Sequence, residues 1–155
     1  MKIKELGHAV LFVKNIERSV HFYRDVLGFE MIEPKGSDGQ ALALGRIAMF
    51  SSGRTHHELL LIEVGEDAPH PGRSHRAGLY HLGFKIGDTD DELRSALATL
   101  NDEGVTIAGS SDHTVTHSLY LLDPDGNEIE LYIDVAGVDW NDPANTLAPT
   151  KALSL

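Results

Sequence analysis

The chain has 155 residues, enough for one ordinary core that buries about 70% of the unfolded surface and needs no staple. Thirteen Lys and Arg against 24 Asp and Glu give a net charge of −11, which argues against a non-specific nucleic-acid binder and against docking on anionic membranes. Cysteine is absent, which excludes disulfides, thiolate metal sites and cysteine nucleophiles; no apolar run is long enough to span a bilayer, and the polar start Met1–Glu5 lacks a signal-type apolar region, so a soluble cytoplasmic protein is expected.

The apolar run Leu6–Val13 (LGHAVLFV) reads as a buried strand. Asn15 offers a helix N-cap; Ile16, Val20, Tyr23 and Leu27 form one apolar stripe, and Gly28 is the stop. Three strands follow, at Phe29–Glu33, Gln40–Phe50 and His57–Val64. Residues 65–78, with Pro69, Pro71, Gly72 and Gly78, have the composition of a linker. The order then repeats: strand Leu79–Ile86, a helix capped by Asp88 or Asp90 with Leu93, Leu97 and Leu100 on one face, and strands Val105–Ala108, His117–Leu122 and Glu128–Ile133. Asp123-Pro124-Asp125-Gly126 is the last hairpin turn. The tail 135–155 has no clear period and is expected to wrap the surface or a partner.

The internal repeat organises the nine histidines. His8, in the middle of the first strand, lies seven residues before Asn15, as His81 lies seven before Asp88. His8 to His57 and His81 to Glu130 both span 49 residues, so four potential ligands occupy matching places in two copies of one motif. Imidazole and carboxylate suit Fe(II), Mn(II), Ni(II) or Zn(II), and two His with one carboxylate leave coordination positions open. Strand alternation puts His57 and Glu58 on opposite faces, groups His8 with Val10 and Phe12, His81 with Gly83, and Glu128 with Glu130 and Tyr132, and sends residues 129, 131 and 133 the other way. Each ligand candidate taken alone is an ordinary strand residue; the matched spacing is what raises the joint reading. His21, His56, His70 and His75 read as surface, with His56 on the face opposite His57.

The segments LGHAVLFVKNIERSVHFYRDVLGFE, HHELLLIEV, GLYHLGFKI and LYLLDPDGNEIELY resemble the vicinal oxygen chelate superfamily, which includes glyoxalase I, extradiol dioxygenases, fosfomycin resistance enzymes and bleomycin-binding proteins. The resemblance implies an α+β domain over 1–134, with module one 1–64, linker 65–78 and module two 79–134. In it, two paired βαβββ modules form a cupped, partly open barrel-like sheet around a divalent metal. His56-His57 and the stretch SSDHTVTHSLYLLDPDGNEIELY are most similar to single-domain catechol 2,3-dioxygenase-type proteins.

That likeness implies His8, His81 and Glu130 as ligands of Fe(II), with Mn(II), Ni(II) and Zn(II) as alternatives. It implies His57 as an acid–base residue, Tyr120 as hydrogen-bond partner of a bound catecholate, and His113 as a substrate-positioning residue, with His117 competing for that role. Tyr120 read alone is a half-buried strand tyrosine. The implied activity is oxidative ring opening of an aromatic diol with O2 in a cytoplasmic homodimer. The alternatives are a glyoxalase-like isomerase or lyase, which would want a second carboxylate such as Glu58 at the metal, and a non-enzymatic antibiotic binder.

Overall fold

Two strand–helix–three-strand units, Met1–Gly72 and Arg73–Leu155, make up the computed structural model, which describes residues 1–32, 46–69 and 77–155. The first unit carries β1 (Ala9–Val13), α1 (Ile16–Val20), β2 (Glu30–Met31), β3 (Ile47–Ser51) and β4 (Leu59–Glu63). The second carries β5 (His81–Gly87), α2 (Asp90–Asp102), β6 (Ile107–Asp112), β7 (Thr116–Leu122), β8 (Glu128–Asp134) and a short α3 (Pro143–Thr146) in the tail. The sheets have the same topology, β1-β4-β3-β2 and β5-β8-β7-β6, each with one parallel pair between its first and last strands. This is the expected α+β pattern of two βαβββ modules, and neither four-stranded sheet is a closed barrel. Parts of the strands expected at Phe29–Glu33 and Gln40–Phe50, and half of the expected linker, lie outside the described residues.

Local chemistry accounts for the helices. The Asn15 side chain accepts from the Arg18 amide at 3.0 Å, and Gly28 ends the turn at φ 79°. Between them the helix widens: over His21–Val26 it makes π-type turns, with the Leu27 amide donating to the Phe22 carbonyl at 3.0 Å. The buried residues are Ile16, Ser19, Phe22 and Tyr23, where the stripe Ile16, Val20, Tyr23 and Leu27 was expected.

In the second unit the cap is Thr89, not Asp88 or Asp90. Its hydroxyl accepts from the Glu92 amide, while the Glu92 carboxylate accepts from the Asp88 amide at 2.9 Å and from the Thr89 hydroxyl at 2.8 Å. The T-x-x-E spacing of a capping box decides against the neighbouring aspartates. Leu93 and Leu100 then bury their side chains fully, alongside Leu119, Leu121, Ile129, Leu131 and Ile133 of the sheet.

Of the strand starts that differ from expectation, two matter to the site. β1 begins at Ala9, whose amide donates to the Glu58 carbonyl at 2.8 Å, so His8 stands just ahead of the strand, not in its middle. β4 begins at Leu59, so His57 lies in the approach to it.

The ladders also correct the repeat. Ala9 pairs with Leu59, and its counterpart 73 residues on, Leu82, pairs with Ile129. The first strands are therefore offset by 73 residues and the last strands by only 70 (129 − 59). The position equivalent to Glu130 is Leu60, opposite Val10 as Glu130 is opposite Gly83; the shared 49-residue span of His57 and Glu130 is a coincidence of loop lengths.

Candidate metal and substrate site

In the second unit, β8 sorts its side chains by parity. Ile129, Leu131 and Ile133 are buried in the core, on the side that packs against α2, while Glu130 and Tyr132 take the opposite face. The Asp123–Gly126 turn sets this phase: the Asp123 carboxylate accepts from the amides of Asp125 (2.9 Å) and Asn127 (2.8 Å), and Gly126 sits at φ 86°.

One cross-strand row then runs Gly83–Glu130–Tyr120–Gly109. Glycines on both flanks leave space above the strands for the carboxylate and phenol. A Cβ at Gly83 would stand 3.3 Å from Glu130 Oε2, and one at Gly109 would meet nothing within 4 Å. A cavity of about 530 Å³ opens here, with Tyr80, His81, Gly109, His113, Tyr120 and Glu128 among its lining residues.

His81, at the start of β5, brings Nε2 to 3.1 Å from Glu130 Oε2. Its Nδ1 is buried without a hydrogen-bond partner; Glu128 Oε1, 3.6 Å away, is too far for one. On the other oxygen of Glu130 a polar chain begins. The Tyr120 hydroxyl donates to Glu130 Oε1 at 3.1 Å, His113 Nε2 lies 2.7 Å from the Tyr120 oxygen, and the Thr150 hydroxyl lies 3.2 Å from His113 Nδ1. Burial, then the charge of Glu130 and the hydrogen bond to it, push the Tyr120 phenol up to about 12.

His117 belongs to the other face. It sits one residue out of phase with Ser118 and Tyr120, and its Nδ1 is 2.6 Å from Asp90 at the start of α2, with Asp112 3.7 Å from Nε2. Of the two competing histidines, His113 therefore shares the cavity with Tyr120, and His117 ties the sheet to the helix.

In the first unit, the His8 and His57 rings lie 4.7 Å apart, and the His56 ring packs 4.5 Å from His57. His56 thus stands beside His57 and not on an opposite face; these residues precede β4, where strand alternation does not apply. His56 Nδ1 and His57 Nδ1 are 2.6 Å apart, so one must donate and the other accept. Burial first, then the neighbouring His56 and His8, hold the His57 pKa below its ordinary value.

Glu58 turns away into the 51–58 loop, where it accepts from the amides of Ser52 (2.9 Å) and Thr55 (3.2 Å) and from the Ser52 hydroxyl (3.1 Å), with Arg54 at 3.4 Å. Burial acts to raise its pKa, but the hydrogen bonds from Ser52 and Ser51 and the Arg54 charge outweigh it, leaving the group below the usual carboxylate range. A carboxyl with a depressed folded pKa stabilises fully above its unfolded value and loses that contribution as pH falls through the folded one. Glu58→Gln is therefore expected to cost about 1–2 kcal/mol at neutral pH and nothing once Glu58 is protonated. Thermal melts of both proteins across an acid series would show the two curves converging.

His21 pairs with Asp25 at 3.0 Å on the surface of the first unit, and His70 and His75 lie outside the described residues. Among the described residues of each unit, no three His, Asp or Glu side chains assemble a complete metal site. His8 lies in the first unit, and His81 and Glu130 lie in the second. Sequence reasoning missed Thr150, for which the aperiodic tail offered no signal. It also missed the flanking role of Gly83 and Gly109, which glycines inside strands did signal.

The chain belongs to the Glyoxalase/Bleomycin resistance protein/Dioxygenase superfamily, whose family model matches residues 5–131. It is similar to a catechol-2,3-dioxygenase of Bacillus subtilis (strain 168), with 35% identity over 87% of this chain and 43% of that protein. It also resembles the metallothiol transferase FosB of Staphylococcus epidermidis, with 26% identity over 84% of each chain. Among solved structures, a glyoxalase/dioxygenase from Nostoc punctiforme superposes with a TM-score of 0.68 at 24% identity, covering 84% of this chain and 91% of that one. The chain spans less than half the length of the Bacillus and Pseudomonas ring-cleaving relatives it matches, at 43%, 42% and 45%.

Proposed function

We propose that this chain is an extradiol dioxygenase that opens a catechol-type aromatic diol with O2, using Fe(II) held by His8, His81 and Glu130. The observation that carries the reading is the run His113–Tyr120–Glu130–His81, which sets a carboxylate and an imidazole beside two proton-handling groups, with His81, His113 and Tyr120 lining one cavity. The donor set fits a divalent ion. Two ligands of one octahedral ion, each about 2.1 Å from it at right angles, stand about 3 Å apart, and His81 Nε2 and Glu130 Oε2 are 3.1 Å apart. The unpartnered Nδ1 of His81 leaves that ring free to turn toward a ligand role. A divalent ion held by these residues would supply Lewis-acid chemistry, and holding both reactants in one site lowers the entropic part of the barrier.

The protein's own groups supply the rest. Tyr120 and His113 face the cavity as hydrogen-bonding partners for a diol oxygen. In this reading His57, whose ring lies 4.7 Å from that of His8, accepts or returns a proton near neutral pH. The diol enters through His81, Tyr120 and Tyr80, whose rings suit an aromatic guest; His81 lies 5.1 Å from Tyr80 and 5.8 Å from Tyr120. A glyoxalase-like site with a second carboxylate is disfavoured, because Leu60 occupies the place equivalent to Glu130 and Glu58 is committed to its loop.

Anaerobic Fe(II) loading followed by catechol and O2 tests the proposal, with a yellow ring-fission product as the expected result. Silence across several catechols, together with turnover of a thiol hemithioacetal, would overturn it.

Gly83→Ala should weaken metal binding without unfolding the sheet. Its methyl would stand 3.3 Å from Glu130 Oε2 and force the carboxylate aside. A loss of about tenfold in metal affinity, the lower range for disturbing a ligand's support, is expected in a calorimetric titration.

A further inference from the structure

The tail beyond β8 bears on the site through one hydroxyl. Lys151 forms a two-way backbone bridge with Asp112 at the end of β6, with amide–carbonyl distances of 3.0 and 2.8 Å, and Ser110 donates to the Leu153 carbonyl at 3.3 Å. These bonds occupy the outer edge of β6, an end strand of its sheet, and leave Thr150 against His113. The backbone of His113 is itself pinned in the β6–β7 turn: its amide donates to Thr116 at 2.9 Å, and Thr114 is held at φ 70°, with its amide donating to Asp112 at 2.6 Å. A non-glycine residue in the left-handed region costs about 1 kcal/mol or more and persists where its surroundings over-determine it. Backbone and ring of His113 are thus fixed by separate means.

We propose that Thr150 is a positioning residue for His113, selecting the ring tautomer that faces Tyr120. Tyr120 has one hydroxyl proton and donates it to Glu130. The contact between His113 Nε2 and the Tyr120 oxygen, at 2.7 Å, must then be made by an Nε2–H. A neutral imidazole carrying that proton has a bare lone pair on Nδ1, and the group beside Nδ1 is the Thr150 hydroxyl, 3.2 Å away and able to donate. Thr150 thereby favours the tautomer that keeps the Tyr120 proton on Glu130. Its purpose rests on the dioxygenase reading above; its geometry does not.

The test is the 15N spectrum of the His113 ring in the full-length, metal-free protein, beside the steady-state kinetics of the Fe(II)-loaded enzyme. Wild type and Thr150→Ser should show a single Nε2–H form, and Thr150→Val a mixture of tautomers. Thr150→Val should also lose about tenfold in kcat, in the range for losing an orienting partner, with KM for the diol little changed and Thr150→Ser restoring the rate. An unaltered His113 spectrum in Thr150→Val, or a Thr150→Ser protein no better than the valine variant, overturns the proposal. A tautomer shift in a protein that cleaves no catechol would leave the positioning intact and remove the dioxygenase reading instead.

Discussion

Glu130→Gln should abolish tight Fe(II) binding and ring cleavage while leaving the fold in place. The glutamine keeps the volume and the hydrogen bond from Tyr120 but removes the charge that a divalent ion needs. Losing an outer-shell partner alone costs about 10–100-fold in metal affinity, and losing a charged ligand should exceed that range. The side chain is not part of the apolar core, which lies on the Ile129, Leu131 and Ile133 face, so circular dichroism and the melting temperature should change little.

The same variant carries a metal-independent signature. Tyr120 is held up to about 12 by burial first and by the Glu130 charge and hydrogen bond next. Removing the charge should bring the phenol down toward its ordinary value, visible as tyrosinate forming at lower pH in an absorbance titration. A variant that retained wild-type metal affinity would remove Glu130 from the proposed ligand set.

His57→Ala should separate metal binding from turnover. The proposed ligands His8, His81 and Glu130 remain, so iron content should stay near that of wild type. Turnover should fall about 10²–10⁴-fold, the range for a positioned acid–base group. His56 cannot simply substitute, because its ring packs against His57 and not against the His8 face that His57 occupies. Loss of iron in this variant would instead make His57 a fourth ligand. The comparison needs only metal analysis of the purified protein and a rate at saturating diol.

Much of the fold was legible because its signals are local. Asn15 and Gly28 bracket the first helix by capping chemistry, the D-P-D-G turn sets the phase of β8, and alternation along Glu128–Asp134 separates core from cavity residues. Thr89 was overlooked in favour of its aspartate neighbours, although the T-x-x-E spacing to Glu92 was present in the chain. The π-type widening after Val20 had no comparable local mark, and Phe22 is buried there although it was outside the expected stripe.

The site divides in the same way. Which residue types are able to bind a metal or move a proton, and that one motif is used twice, were legible in the sequence itself, because residue type and order are written there. Three things were decided only by the tertiary structure. The ladder register made Leu60, not His57, the counterpart of Glu130, because register depends on which backbone groups pair across strands and loop lengths do not reveal that. Strand parity in β7 put Tyr120 on the cavity face and His117 on the helix side, and the β6–β7 turn brought His113 to Tyr120. The return of an aperiodic tail to the edge of β6 put Thr150 against His113, 37 residues away in the chain. That contact depends on closure of a long-range loop, and no local propensity encodes it.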